Sequence, residues 1–289
     1  MTFIRFDRPD LKVDDLLHGD VRLTSPPEIY ARLNRLIEQP NSTLPMMAEV
    51  IERDPALAAR LLKLVNSAFF SLSSPVHSIS AAITLLGIRE LQNFVLATEV
   101  IRHFEGIPPD LMDIYGFWRQ SLRCAVLARA LAAQGERPMD GAGVFIAALL
   151  HGIGHLVICL KLPELERKAL LEHRYRGLPL HEAQRECIGF DYAELGAALA
   201  LQWRLPEMLC VVLAHHTDPT RTKAWQREVA LVHLAWLGSA AGGLGLEQVK
   251  AQIPDGLSAW EQAAITPAAL DAAIGQATQD FEAGLALLR

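Results

Sequence analysis

The feature that most limits the fold is the apolar run from Ala147 to Leu160, which contains two histidines and two glycines. A bilayer is spanned by roughly 20 apolar residues, so this run approaches the length of a membrane helix. Two imidazoles in its middle, and Pro163 just after it, argue against a membrane span. The run therefore predicts the buried central helix of a helical protein, with other helices packed around it.

The two histidines of this run, His151 and His155, are spaced i, i+4, so on one helix they share a face. Such a pair could hold a metal, or each ring could donate its N–H to a carbonyl oxygen inside a packed core. No glutamate follows the first histidine, as the HExxH pattern of zinc enzymes requires. This favours the core interpretation.

Charge and cysteine usage exclude several classes of protein. The net charge of −6 supplies no basic face for nucleic acid. Lys161 to Arg176 is locally basic but is interleaved with Glu164, Glu166 and Glu172, which predicts a solvated helix face.

The N-terminus lacks the apolar region of a signal peptide. No CxxC spacing occurs, which predicts buried thiols in a reducing compartment and a cytoplasmic location; the cysteines are Cys124, Cys159, Cys187 and Cys210.

Helix signals recur along the chain, without any alternating strand pattern. Asp54 precedes Pro55 as an N-cap precedes a helix start. Asn66 and Ser67 end that helix, since their side chains compete for backbone groups, and Gly87 ends the following one.

In the second half, Asp191 and Glu194 form a predicted capping box, and Thr266 before Pro267 opens the last helix. The chain is therefore predicted to be all-α. We divide it into a loosely attached lead-in at 1–20, an N-terminal helical lobe at 21–107, a helical core at 108–241 and a C-terminal extension at 242–289. Whether the last amphipathic helix packs in cis or in trans stays open.

Three stretches carry a family resemblance. Leu149 to Leu156, Leu-Leu-His-Gly-Ile-Gly-His-Leu, resembles the Leu-Leu-His-Asp-Ile-Gly-Lys-Leu core of the HD superfamily of metal-dependent phosphohydrolases. Asp54 to Phe69 resembles the more specific signature of the HDOD family, and Ile79 to Gly87 resembles a later segment of it. The resemblance implies an HD-like helical bundle with an additional N-terminal helical lobe.

The resemblance also implies that the metal site is degenerate. Gly152 stands where the HD doublet has its aspartate, and Gln120 stands where the first histidine is expected. Tyr192 replaces another family histidine, His215 and His216 match a double histidine found in relatives, and no carboxylate lies near 235–236, where the late aspartate would fall. We therefore expect no catalytic residue, no bound metal and no cofactor.

Three functions stay open at this stage. The first is a non-enzymatic module of bacterial signal transduction that acts through protein partners, as the family resemblance implies. The second is a sensor that binds a nucleotide-type ligand in the emptied pocket, and the third is a residual metal-dependent phosphohydrolase. Nucleic acid and membrane are not expected as partners. The candidate pocket residues are Gln120, His151, Gly152, His155, Tyr192, His215 and His216. Trp118, Trp203 and Trp236, together with Tyr192, are predicted to be core aromatics.

Overall fold

The structure is a computed structural model. It describes residues 11–18, 25–66, 70, 72, 74–104, 106–134, 138–139, 141–240, 243, 245–253 and 258–288. Within them every regular element is a helix, which confirms the all-α prediction.

The N-terminal part of the described chain contains six helices. They are α1 Val13–Leu17, α2 Glu28–Glu38, α3 Leu44–Glu52, α4 Pro55–Val65, α5 Ile79–Leu86 and α6 Ile88–His103. Leu16 and Leu17 of α1 are buried, so this part of the predicted lead-in is not loosely attached. The rest of the lead-in lies outside the described residues.

The helix boundaries in this part follow the signals in the sequence. The Asp54 carboxylate caps α4 by accepting the backbone N–H groups of Ala56 and Leu57 at 2.9 and 3.0 Å. Asn66 ends α4, and Ser67 lies outside the described residues. Gly87 ends α5 with a φ of 85°, a backbone conformation that favours glycine.

The remainder of the described chain contains eleven further α-helices and two short 3-10 helices, Pro219–Arg221 and Leu285–Leu288. The α-helices are α7 Ile114–Gln134, α8 Ala142–Leu150, α9 Ile153–Lys161, α10 Pro163–Arg176, α11 Leu180–Cys187, α12 Tyr192–Gln202, α13 Glu207–His215, α14 Gln226–Ser239, α15 Leu246–Gln252, α16 Ser258–Ala263 and α17 Pro267–Gly284. Thr266 caps α17 as predicted, since its side chain accepts the N–H of Ala269.

Helix α7 is the centre of the packing. It lies against α8, α14 and α17, so the C-terminal helix packs in cis. One apolar core runs through the described residues from α1 to α17.

The apolar run from Ala147 to Leu160 lies inside this core. Eight of the nine residues of α8 are buried. By length and composition, Ala142–Lys161 could cross a membrane, and 83% of its most apolar window is buried within the fold. Among the described residues, α5 and α6 are long and apolar enough to cross a membrane only if they are counted together as one span. The two helices meet at a bend of 119°.

Candidate functional site

The predicted central helix is interrupted at the histidine–glycine doublet. His151 ends α8 and Gly152 begins α9, so Ala147 to Leu160 is two helices joined by a turn. The predicted central helix is buried as expected, but it is divided here into two successive helices. The turn brings the His151 ring, Gly152 and the His155 ring to the same cleft.

This cleft has a volume of about 730 Å³, which is within the range of small-molecule sites. One wall is the segment that leads into α7 together with the first turns of α7. The opposite wall is the joint between α10 and α11, and the start of α12 and the end of α14 close the remaining side. Five of the seven candidate pocket residues line it: Gln120, His151, Gly152, His155 and Tyr192.

The other two candidates, His215 and His216, do not line the cleft. The His216 ring is fully buried behind it and contacts His151, with ring centroids 5.1 Å apart, as well as Tyr192 and Trp236. His215 is half-buried outside the lining. Sequence reasoning missed the half-buried Trp236, which lines the cleft.

Hydrogen bonds fix the tautomer of three buried imidazoles. Nδ1 of His151 donates to the backbone carbonyl of Ala148 at 2.6 Å. Nδ1 of His216 donates to the backbone carbonyl of Leu213 at 3.0 Å, and Nδ1 of His233 donates to the backbone carbonyl of His216 at 2.6 Å. Each Nε2 then keeps its lone pair.

Burial keeps these rings neutral at pH 7. It lowers the pKa of His151 to about 4. Burial, followed by the neighbouring His151, lowers the pKa of His216 well below its ordinary value. The Nε2 atom of His216 has no hydrogen-bond partner among the described residues. The cleft is therefore backed by imidazoles that can accept a hydrogen bond but carry no charge.

The place of the missing aspartate is occupied by an aromatic ring. A Cβ atom built on Gly152 would lie 2.9 Å from Cε2 and 3.0 Å from Cζ of Phe117, which packs edge-to-face against Trp118. No carboxylate can project from position 152 unless this ring moves. The residues at this position therefore do not fit a metal held in the manner of the HD doublet.

A second glycine of the motif sets the distance between two helices. A Cβ atom on Gly154 would lie 2.5 Å from the backbone nitrogen of Gly196 and still closer to the carbonyl oxygen of Tyr192. Helices α9 and α12 cross here in backbone contact, and this contact holds Tyr192 beside the cleft.

The prediction of a solvated helix face is wrong for one residue, Glu166. Its side chain is fully buried. Nε2 of His155 donates to Oε1 of Glu166 at 2.8 Å, and the Gln184 side-chain amide donates to Oε2 at 2.9 Å. The Gln184 carbonyl oxygen in turn accepts the backbone N–H of Tyr192 at 3.0 Å. Glu166 lies three residues before the fully buried Ala169, so the two residues share the buried face of α10.

An exposed ion pair joins the two sides of the cleft. Nη2 of Arg167, on α10, lies 2.9 Å from Oδ2 of Asp110. Asp110 immediately precedes Leu111, which lines the cleft. We call this pair the rim pair; its Arg167 immediately follows Glu166 in the sequence.

Comparison with known proteins shows the family to which the chain belongs. The family model of the HDOD domain matches residues 23–219, and the chain belongs to the HDOD domain family. An uncharacterized protein of Treponema pallidum (strain Nichols) is 31% identical over 211 residues, which are 72% of this chain and 40% of that protein. The chain thus spans about two fifths of the length of this curated relative.

Two solved structures share the fold. One, from Shewanella amazonensis SB2B, is provisionally named a phosphohydrolase; it is 23% identical, with a TM-score of 0.71 over 96% of both chains. The other, from Marinobacter aquaeolei VT8, is provisionally named a signal transduction protein; it is 20% identical, with a TM-score of 0.70 over 97% of this chain and 61% of its own. At these identities the likeness concerns the fold.

Proposed function

We propose that this chain is a non-enzymatic regulatory module of bacterial signal transduction that acts through protein partners in the cytoplasm. HDOD family membership fits a regulatory role. The observation that carries the proposal is the packing of Phe117 over Gly152. Glycine supplies no carboxylate of the kind with which the HD doublet holds its metal, and a side chain at this position would have to displace the Phe117 ring.

The chemistry of hydrolysis explains why this one position matters. A hydrolytic metal needs several convergent ligands and an open position for the water that it activates. Around the doublet the chain offers neutral imidazoles, and Gln120 stands in place of the first histidine. Without the oxygen ligands a metal at the doublet is weakly held, and water there stays unactivated.

The enzymatic alternative is tested by turnover. Purified full-length protein is incubated with cyclic dinucleotides and nucleotides in the presence of Mn²⁺, Fe²⁺, Mg²⁺ or Zn²⁺. We expect no hydrolysis above that of a His151→Ala variant. Metal-dependent turnover that His151→Ala abolishes would overturn the proposal and establish a residual phosphohydrolase.

The partner half of the proposal is tested by affinity capture from the host. Leu171 and Tyr175 are one turn apart on α10 and are 51% and 79% exposed, so substituting them leaves the core intact. We expect a protein recovered reproducibly with the wild type, and variants of exposed helix residues such as Tyr175→Ala that reduce its recovery without changing the circular dichroism. Failure to recover any protein reproducibly counts against the proposal.

A second candidate function is a sensor of a nucleotide-type ligand. The cleft favours it, because its volume of about 730 Å³ and its mixture of apolar and polar walls suit a small molecule. A ligand that binds only the folded protein at 100 times its Kd stabilises it by about 2.7 kcal/mol.

A thermal-shift screen of nucleotides tests this second function. We expect a rise in melting temperature that His151→Ala removes. His77→Ala, at an exposed position outside the cleft lining, is the matched control and keeps the rise. A flat screen would reject the sensor.

A further inference from the structure

Three side chains of different chemistry converge between α9 and α10. A ring nitrogen of His155, Sγ of Cys159 and a carboxylate oxygen of Glu166 all lie within 4.8 Å of one another. His155 and Cys159 are one turn apart on α9. The chain reverses at Leu162, so the beginning of α10 returns along α9 and Glu166 faces both of them.

This set of donors is the one that zinc prefers. Zinc sites use imidazole nitrogen, thiolate sulfur and carboxylate oxygen, and open sites have three protein ligands and one exchangeable position. With metal–ligand bonds of about 2.0–2.3 Å, tetrahedral ligands lie about 3.4–3.7 Å apart. Small side-chain rotations would bring the three atoms from their present separations to that spacing.

The electrostatics of the cluster favour a cation. Glu166 is fully buried, and its hydrogen-bond donors are a histidine and an amide. A divalent cation would balance the carboxylate and stabilise the thiolate, because a coordinated thiol loses its proton.

The surroundings already supply the support that metal ligands require. Ligand carboxylates are usually oriented by a further hydrogen bond. Here Gln184 holds Oε2 of Glu166, and the backbone N–H of Tyr192 holds Gln184. The His155 ring is 14% exposed and lines the cleft, so the fourth position of a metal would be reached from there.

We infer that His155, Cys159 and Glu166 form a zinc site beside the cleft, separate from the degenerate doublet, whose fourth position takes water or an atom of a bound ligand. This inference does not depend on the regulatory function proposed above.

The test uses the full chain, stripped with a chelator and titrated with Zn²⁺ by calorimetry and with Co²⁺ by absorption spectroscopy. We expect one equivalent of metal per chain and a thiolate-to-Co²⁺ charge-transfer band in the near ultraviolet. Cys159→Ala loses both. Cys210→Ala, which removes another buried free thiol on α13, is the matched control and keeps both.

Two further variants separate a ligand from a structural residue. Gln184→Ala keeps all three ligands and weakens binding about 10- to 100-fold, as expected for the loss of an orienting partner. Glu166→Gln keeps the shape of the side chain and removes the charge, and we expect it to abolish stoichiometric binding. If circular dichroism shows that Cys159→Ala does not fold, Cys159→Ser takes its place, because serine nearly preserves the volume of the side chain and removes the sulfur.

The inference is overturned by either of two results. The first is a wild-type protein that binds neither Zn²⁺ nor Co²⁺ in stoichiometric amount. The second is binding that survives unchanged in the folded Cys159 variant and in Glu166→Gln, which would place the metal elsewhere.

Discussion

Replacing Gly154 by alanine tests the helix crossing on which the cleft is built. The new Cβ atom would lie 2.5 Å from the Gly196 nitrogen, whereas atoms in good contact are about 3.5–4.0 Å apart. Helices α9 and α12 would therefore have to separate by about 1 Å or more to restore that contact distance. Both obstructing groups, the Gly196 nitrogen and the Tyr192 carbonyl oxygen, belong to the backbone, so no side-chain rotation can relieve the clash.

The expected magnitude is the difference of two terms. Overpacking of a core typically costs about 1–3 kcal/mol, and a backbone clash belongs at the upper end of that range. Alanine in place of glycine within a helix returns about 0.8–1.0 kcal/mol. The free energy of unfolding of Gly154→Ala is therefore expected to fall by about 2 kcal/mol.

Two other glycines provide matched controls. Gly275, exposed on α17, has no neighbouring atom within 4 Å of the place that a Cβ atom would take, so Gly275→Ala should raise the free energy of unfolding by about 0.5–1 kcal/mol. A Cβ atom on Gly196 would approach the Gly154 nitrogen only to 3.3 Å. The free energy of unfolding of Gly196→Ala should therefore lie between those of Gly154→Ala and Gly275→Ala.

The measurement is urea-induced unfolding of the four proteins followed by far-ultraviolet circular dichroism. We expect Gly275→Ala to be the most stable of the four proteins and Gly154→Ala the least stable. Gly154→Ala with wild-type stability, or a shift of Gly154→Ala and Gly275→Ala in the same direction, would refute this expectation.

Three further predictions concern single residues. Asn66→Ala should lower the free energy of unfolding by about 1–2 kcal/mol, because its side chain bonds both the N–H and the carbonyl of Val76; unchanged urea midpoints would contradict this. Asp54→Ala should cost about 1 kcal/mol and Asp54→Asn less, since asparagine retains the capping oxygen; equal losses in the two variants would exclude capping as the cause. His151 is neutral in the fold, where its pKa is about 4 against an ordinary 6.5, so the unfolded chain binds the proton more readily between these values. Stability should therefore fall as the pH is lowered from 6.5 to 4, by on the order of 3 kcal/mol from this residue, and a His151→Gln variant should show a shallower pH dependence in the same urea titrations.

The helix boundaries were predictable because their causes are local. Asp54, Gly87 and Thr266 each act on the backbone within a few residues, through a capping oxygen or a positive φ. The predicted capping box of Asp191 and Glu194 forms only in part. The Asp191 side chain accepts the backbone N–H of Glu194 at 2.8 Å. Oε1 of Glu194, however, lies 3.3 Å from Nε of Arg185 instead of accepting the backbone N–H of Asp191.

The features that were missed have causes far away in the sequence. Glu166 resembles part of a charged surface because its partners, His155 and Gln184, lie 11 and 18 residues away. The interruption at His151 was missed because uniform apolar composition conceals a turn within a buried run. The space above Gly152 is filled by Phe117, a residue of α7, and no local pattern indicates that contact.

The rim pair of Arg167 and Asp110 has a kinetic consequence. Its side chains are 38% and 59% exposed, and a pair in such contact with solvent adds little to the stability of the fold while salt weakens it. It nevertheless joins α10 to the segment before α7, and it adjoins the buried Glu166. Ionic strength should therefore change how often the two walls part, and with it the rate of hydrogen exchange around Glu166, at nearly constant folding free energy.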